Sequence, residues 1–177
     1  MKKFCYLCSL MMLALTGCVL TPHTEYPEST FDLQAPAAVK AQDFFTLSTI
    51  NNQTPARTKF YYRTAGNTVQ FDHYRNWVQP PEMLLQRYLL NKFPYQSNAA
   101  QKPAEVKLTI IAFEFDLAKS EAVLAVNYTL RNTAKKSQGN ITIRQKFAQP
   151  GTEPMVEAMN KAVAAAAEKL ESEIKKF

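Results

Sequence analysis

Apolar residues recur at every second position between Glu105 and Phe147, which is typical of strands with one face against a core. In the first run the apolar positions change from even to odd: Val106, Leu108, Ile110, Phe113, Phe115 and Leu117. One strand cannot hold both sets on one face, so we predict a bulge near Ile110 and Ile111. Two further alternating runs, one over 121–131 and one ending at Phe147, complete a predicted antiparallel meander.

Shorter apolar runs upstream predict three further strands. The first covers residues 44–47, the second 59–63 and the third 68–74. Gly66 and Asn67 stand between the last two runs, and both residues tolerate the positive φ that a tight two-residue turn requires. We therefore predict that these two runs form a hairpin.

Two segments have the period of an amphipathic helix. The first follows Pro80 and Pro81, which suit the first turn of a helix, and ends near Pro94. The second extends from Thr152 to Phe177. Its apolar stripe consists of Val156, Met159, Val163, Ala167, Leu170, Ile174 and Phe177. The predicted fold is α+β: a two-layer sandwich in which two helices pack on an antiparallel sheet of about five strands, in the order strands, helix, strands, helix.

The N-terminal segment has the features of an export signal. Lys2 and Lys3 precede an apolar stretch over residues 4–15, which is shorter than the roughly 20 residues that a membrane-spanning helix needs. The stretch leads into Leu15-Thr16-Gly17-Cys18, which resembles the bacterial lipobox. The resemblance implies cleavage before Cys18 and lipid on its sulfur and freed amine, which would anchor the protein to a membrane. An ordinary secretory signal is the alternative.

The expected division of the chain follows from this signal. Residues 1–17 form the signal peptide, residues 18–30 the acylated cysteine with a flexible tether, and residues 31–177 a single domain. Cleavage removes Cys5 and Cys8, so the mature chain forms no disulfide and its core must stabilise it.

The charge of the chain narrows the choice of partners. Loss of the two signal-peptide lysines lowers the formal net charge from +6 to +4, and the basic residues are dispersed. A mild excess could favour an acidic partner or anionic lipid head groups, but dispersed basic residues are more typical of a solvated surface. We expect no nucleic-acid partner, because the signal predicts an exported protein.

Residues for catalysis or metal binding are scarce. The mature chain has His23 in the tether and His73 in a predicted strand, and its glycines form no phosphate-binding loop. His73 shares the parity of its apolar neighbours, so we expect it to be partly buried. Glu114 and Asp116 are a candidate acid-base pair, but a solvated strand face explains them more simply. We predict no enzyme activity, no catalytic or metal-binding residue, and no cofactor apart from the covalent lipid on Cys18.

A group of aromatic residues is the best candidate for a contact surface. Its members are Tyr61, Tyr62, Tyr74, Trp77 and Tyr95. Amphipathic rings suit both a protein interface and a lipid groove, so we interpret this group as a candidate partner or lipid contact. For Trp77, packing in the core or against the following helix is the alternative.

Three segments carry a further resemblance: Phe31-Asp32-Leu33, Phe60-Tyr61-Tyr62-Arg63, and the stretch from Phe71 through Trp77, Pro80 and Pro81 to Leu85. Together with the alternating strand and the Ala-rich last helix, they resemble the ABC-type transport auxiliary lipoproteins, which are partners of MCE-type lipid transport systems. The resemblance covers residues 31–177. The loop from Phe93 to Glu105 departs from the short turn of that family.

The resemblance implies a non-catalytic, lipid-anchored protein at the periplasmic face of the outer membrane, working with a permease, an ATPase and an MCE-domain protein. Val19 replaces the aspartate that often retains lipoproteins at the inner membrane, which favours the outer membrane. The exposed face or edge of the sheet would receive the MCE-domain protein, or another copy of the chain in a homo-oligomer. The alternative is a structural or assembly lipoprotein of an outer-membrane complex without a transport role.

Overall fold

The computed structural model describes residues 27–65, 67–97, 102–148 and 151–177. Its strands are β1 (Ser29–Phe31), β2 (Phe45–Asn52), β3 (Lys59–Arg63), β4 (Val69–Trp77), β5 (Ala104–Asp116), β6 (Glu121–Arg131) and β7 (Lys136–Lys146). Its helices are α1 (Pro81–Lys92) and α2 (Thr152–Lys176). The predicted signal peptide, the lipidation site Cys18, most of the predicted tether and Gly66 of the predicted turn lie outside the described residues.

All seven strands belong to one sheet, in the order β1-β4-β3-β5-β6-β7, with β2 also paired to β5. The predicted hairpin is confirmed, because β3 and β4 pair antiparallel. The predicted meander is confirmed as well, because β5, β6 and β7 pair antiparallel in succession. Both predicted helices are present, and they pack on the same face of the sheet.

The predicted α+β class with two helices on one sheet is confirmed, but the prediction of an antiparallel sheet of about five strands is wrong, because the sheet is mixed and has seven strands. Three pairs are parallel: β1 with β4, β2 with β5, and β3 with β5. Strand order across the sheet also differs from the order along the chain. An alternating pattern identifies a strand and its buried face, but it carries no information about the direction or identity of the partner strand.

The first strand lies partly in the segment predicted as tether. Ser29 and Thr30 align with Arg75 and Asn76 of β4. The strand has three residues and no full apolar alternation, so the sequence pattern does not reveal it. The described fold therefore begins before Phe31, the predicted start of the domain.

The predicted bulge in β5 is confirmed. The register with β6 shifts between Ile110 and Ala112, and Ile111 lies in the shift with its side chain exposed. This extra residue brings the even-numbered apolar positions before it and the odd-numbered positions after it onto the same, helix-covered face. The partner strand of β5 on its other edge also changes near this bulge. β2 pairs with β5 up to Ile110, and β3 pairs with it from Phe115 onward.

The core lies between the helices and this face of the sheet. Helix α1 packs against β2 and β5, and α2 packs against β6 and β7. The largest fully buried side chains are Phe60, Leu84, Val106, Leu108, Ile110, Phe113, Phe115, Leu124, Leu130, Ile141, Met159 and Val163. Burial of such apolar area is the main stabilising term for a domain without disulfides.

A close contact between Tyr128 and Gly139 fixes β6 and β7 relative to α2. The two residues are register partners, and the Tyr128 hydroxyl donates a hydrogen bond of 3.1 Å to Glu173 on α2. A Cβ atom at residue 139 would lie 2.4 Å from the Tyr128 hydroxyl oxygen and 2.6 Å from its Cζ. Only glycine leaves room for the ring to cross β7 and reach the helix.

We predict that Gly139→Ala lowers the free energy of unfolding by about 1–3 kcal/mol, because the new methyl group displaces the Tyr128 ring. Urea denaturation followed by circular dichroism measures this loss. Gln138→Ala, at an exposed neighbouring position, is the control and should change stability by less than about 1 kcal/mol. Equal stability of the Gly139 variant and the wild type would contradict the contact.

Candidate partner-binding surface

The face of the sheet opposite the helices is called the helix-free face here. Phe60 and Tyr62 of β3 belong to the core, so Tyr61 between them lies on the helix-free face. Its register partner on β4 is Phe71, and the two ring centroids are 5.3 Å apart. The buried Tyr61 ring therefore supports the more exposed Phe71 ring on this face.

Three apolar or amphipathic side chains on β4 are exposed, and together they are called the β4 patch. Val69 is 38% exposed, Phe71 42% and Tyr74 46%. Strand β1 pairs only with Arg75–Trp77 of β4, so among the described strands none covers the edge of β4 beside the patch. Exposed apolar residues next to an unpaired strand edge are a feature of association sites.

A large bulge in β4 lies between Phe71 and Asn76 and contains Tyr74 of the patch. Three residues of β3, from Lys59 to Tyr61, face six residues of β4, from Phe71 to Asn76. The Asp72 carboxylate holds the extra residues together. Its Oδ1 accepts hydrogen bonds from the backbone N–H groups of Tyr74 at 2.7 Å and Arg75 at 2.9 Å, and its Oδ2 accepts one of 2.5 Å from the Tyr62 hydroxyl.

The charge of Asp72 is stabilised by these contacts. Burial opposes ionisation, but the hydrogen bonds from the Tyr62 hydroxyl and from the backbone of Tyr74 and Arg75 outweigh burial, so the pKa of Asp72 lies below its usual value. The Arg75 guanidinium adds an ion pair of 3.0 Å to Oδ2. Burial and the hydrogen bond to Asp72 raise the pKa of the Tyr62 hydroxyl, which keeps it protonated as the donor.

We predict that Asp72→Asn makes stability less dependent on pH in acid. A carboxylate whose pKa is lowered by folding stabilises the fold at pH values above its pKa in the unfolded chain, which is about 4. This contribution is lost as the pH falls through the lower pKa of the folded state. Melting temperatures measured from neutral to strongly acid pH should therefore fall more steeply for the wild type than for the variant. Parallel curves would contradict this role of Asp72.

The five aromatic candidates do not form one surface. Trp77 is 2% exposed, and its ring packs 4.6 Å from Phe60 between centroids, so it belongs to the core. Tyr62 is buried in the same core, with only its hydroxyl directed to the bulge. A partner cannot reach either residue in the folded domain.

Two candidates are exposed at different places. Tyr74 belongs to the β4 patch, whereas Tyr95 follows α1 and forms an isolated bridge with Gln42 just before β2. Tyr95 therefore lies near the beginning of β5, whereas the β4 patch lies near the end of β5, so the two residues belong to different surfaces. Tyr74 and Tyr95 stay predictions as contact residues, whereas Tyr61 is as buried as Tyr62 and supports the Phe71 ring.

Sequence reasoning missed Val69, Phe71 and Asp72. Val69 and Phe71 alternate with polar residues, which is a signal for a strand face, but their exposure depends on the absence of a helix over them. An Asp side chain often accepts hydrogen bonds from the backbone N–H groups two and three residues further along the chain, as Asp72 does here, and this arrangement is typical of a turn. That signal lies within an apparently regular strand, where it is easily overlooked.

Two ion pairs order charged side chains near the ends of β3 and β5 on the helix-free face. Arg63 donates to both oxygens of Glu114, from Nε at 2.7 Å and Nη2 at 3.0 Å, and Lys119 forms an ion pair of 3.5 Å with Asp116. Both carboxylates are buried, so the expectation of a solvated strand face is wrong. His73 is exposed rather than partly buried, because Val69 and Phe71, the apolar neighbours whose parity it shares, are themselves exposed.

The space between both helices and the sheet offers little room for a lipid chain. The apolar space between both helices and the sheet has a volume of about 10 Å³, close to that of a single water site. A larger, open cleft of about 340 Å³ lies between residues 34–38, α1 and α2. Alanines and two oppositely charged pairs line it: Ala35, Ala37, Ala38, Ala164, Lys92, Lys161, Glu157 and Glu168.

Within the described ranges, no cluster of three or more histidine, cysteine, aspartate or glutamate side chains is arranged to hold a metal ion. Neither α1 nor α2 combines the length and apolarity that crossing a membrane requires.

The fold and the comparison with known proteins define the class of the protein. The model of a family described as the ABC-type transport auxiliary lipoprotein component matches residues 54–171, and the chain belongs to this family. The resemblance seen in the sequence is thereby confirmed. No curated protein matches the chain.

Solved structures share the fold. A crystal structure of an uncharacterized protein is 14% identical, covers 84% of this chain and 99% of its own, and has a TM-score of 0.67. A crystal structure of a protein from Xanthomonas campestris is 15% identical, covers 82% of this chain and 91% of its own, and has a TM-score of 0.60. At these identities the similarity applies to the fold alone.

Proposed function

We propose that the protein is anchored to the outer membrane by lipid on Cys18 and is a non-catalytic component of an ABC/MCE-type lipid transport system. Its β4 patch docks the periplasmic MCE-domain protein. The observation that carries this proposal is the exposure of Val69 and Phe71 beside an unpaired stretch of strand edge. Family membership supports association with an ABC transport system.

The patch has the physical properties of a docking site. Val69 and Phe71 supply apolar area that a partner can remove from water. The buried Tyr61 ring and the Asp72 hydrogen bonds hold this part of β4 in place, so little conformational entropy is lost on binding. A rigid apolar patch beside a stretch of edge that no described strand pairs with suits a partner that contributes both side chains and a strand edge.

Docking is favoured over carriage of lipid inside this domain. The space of about 10 Å³ beneath the helices is too small for an acyl chain unless the core opens. The protein would thus hold a partner at the membrane, and that partner would carry the lipid. Ten residues lie between Cys18 and β1, which gives a reach of at most about 35 Å from the lipid anchor.

We predict that the double variant Val69→Ser, Phe71→Ser recovers at least about tenfold less MCE-domain protein than the wild type, because the apolar contact is lost. The measurement is affinity purification from the native host in mild detergent, followed by mass spectrometry. The matched control is Met83→Ser, Leu90→Ser, which removes two similarly exposed apolar side chains from α1 and should leave recovery unchanged.

Circular dichroism of both purified variants separates loss of binding from loss of folding. Equal recovery of the MCE-domain protein with both variants would refute docking through the patch. Recovery of an outer-membrane barrel in place of an MCE-domain protein would refute the transport function and favour the assembly function.

A further inference from the structure

The outer edge of β7 is a long strand edge at the opposite end of the sheet from β4. All eleven residues from Lys136 to Lys146 pair with β6 without a register shift. On the other side of β7, no strand of the described chain pairs with it, and no described segment forms a backbone hydrogen bond to it. Alternate residues of such a strand direct both N–H and C=O groups outward.

The centre of this edge lacks the usual protection against strand addition. Proteins block exposed edges with proline, bulges or charged side chains. β7 contains no proline and no bulge, and its charges lie near its ends at Lys136, Arg144 and Lys146. The seven residues 137–143 between these charges are uncharged.

The three cations lie on one face. Ile141 is buried under the helices, so the odd-numbered positions of β7 face the core and the even-numbered positions face the helix-free side. Lys136, Arg144 and Lys146 are all even-numbered. Arg144 pairs with Glu121 of β6 at 3.5 Å, while residues 132–148 contain no acidic residue. A strand added to β7 would place its own side chains next to these cations.

From this geometry we infer that β7 binds an extended segment of another protein by strand addition, and that this segment has an uncharged centre with an acidic residue near each end. The backbone groups of residues 137–143 supply the hydrogen bonds. The cations at the two ends select the acidic partner and fix its register.

A second copy of this chain fits the edge poorly. In the antiparallel register that pairs the whole of β7 with its symmetry mate, Lys136 lies opposite Lys146 at both ends. A register centred on Asn140 places Lys136 opposite Arg144 instead, again at both ends. Like charges in directly opposed positions destabilise a strand pair, so the charge pattern favours a different, acidic partner.

The test uses the full chain in detergent and fluorescently labelled peptides of nine residues, the length from Lys136 to Arg144. The probe has glutamate at both ends and alternating threonine and valine between them. One control peptide has lysine at both ends, and another keeps the glutamates but has proline at its centre. Fluorescence anisotropy gives the affinities, and hydrogen exchange of the 136–146 amides locates the binding.

We predict that the glutamate-ended peptide binds at least about tenfold more tightly than either control peptide and slows amide exchange in β7. Lys136→Glu should weaken its binding by about fivefold or more. This variant should fold, because residue 136 pairs with Arg131 on β6. Lys102→Glu, a charge reversal at another exposed position, should have no effect.

Equal binding of the proline-containing peptide would show electrostatic adhesion without strand addition and overturn the inference. Equal binding of the lysine-ended peptide, or a dimer that the probe peptide displaces, would overturn it as well. The Val69→Ser, Phe71→Ser variant should bind the peptide as the wild type does, so this test is independent of docking at the β4 patch.

Discussion

The extra residue in β5 between Ile110 and Ala112 is the constraint on which the rest of the sheet depends. Without it, the apolar residues on one side of this point would face water while those on the other side faced the helices. With it, a strand of thirteen residues presents one continuous apolar face. The same point divides its edge between β2 and β3, so two separate parts of the chain join one sheet.

A sheet whose helices cover one face leaves the other face and its edges available for binding. On the helix-free face, the pair of Arg63 with Glu114 keeps the centre polar and ordered, while Val69 and Phe71 form an apolar area on the part of β4 that β1 does not pair with. Asp72 organises the bulge beside that area. These features make the helix-free face and the sheet edges the surfaces on which we propose that partners bind this member of the auxiliary lipoprotein family.

Local periodicity predicted most of the elements and even the β5 bulge, because a strand or helix with one buried face leaves its period in the sequence. It could not predict the parallel pairs, since these depend on contacts between distant segments. β1 was missed because three residues carry no period. The aromatic candidates show a similar limit: Tyr61, Tyr62 and Trp77 are close in sequence, but packing divides them between the helix-free face and the core.

In the proposed function, the helix-free side at β4 contacts the transport partner in the cell. The most direct measurement is photo-crosslinking in the native host, with a photoreactive amino acid placed at Phe71 or, for comparison, at Met83 on α1, which is equally accessible. We expect a crosslink to an MCE-domain protein from position 71 and none from position 83. Crosslinks to that protein from position 83 alone would contradict it.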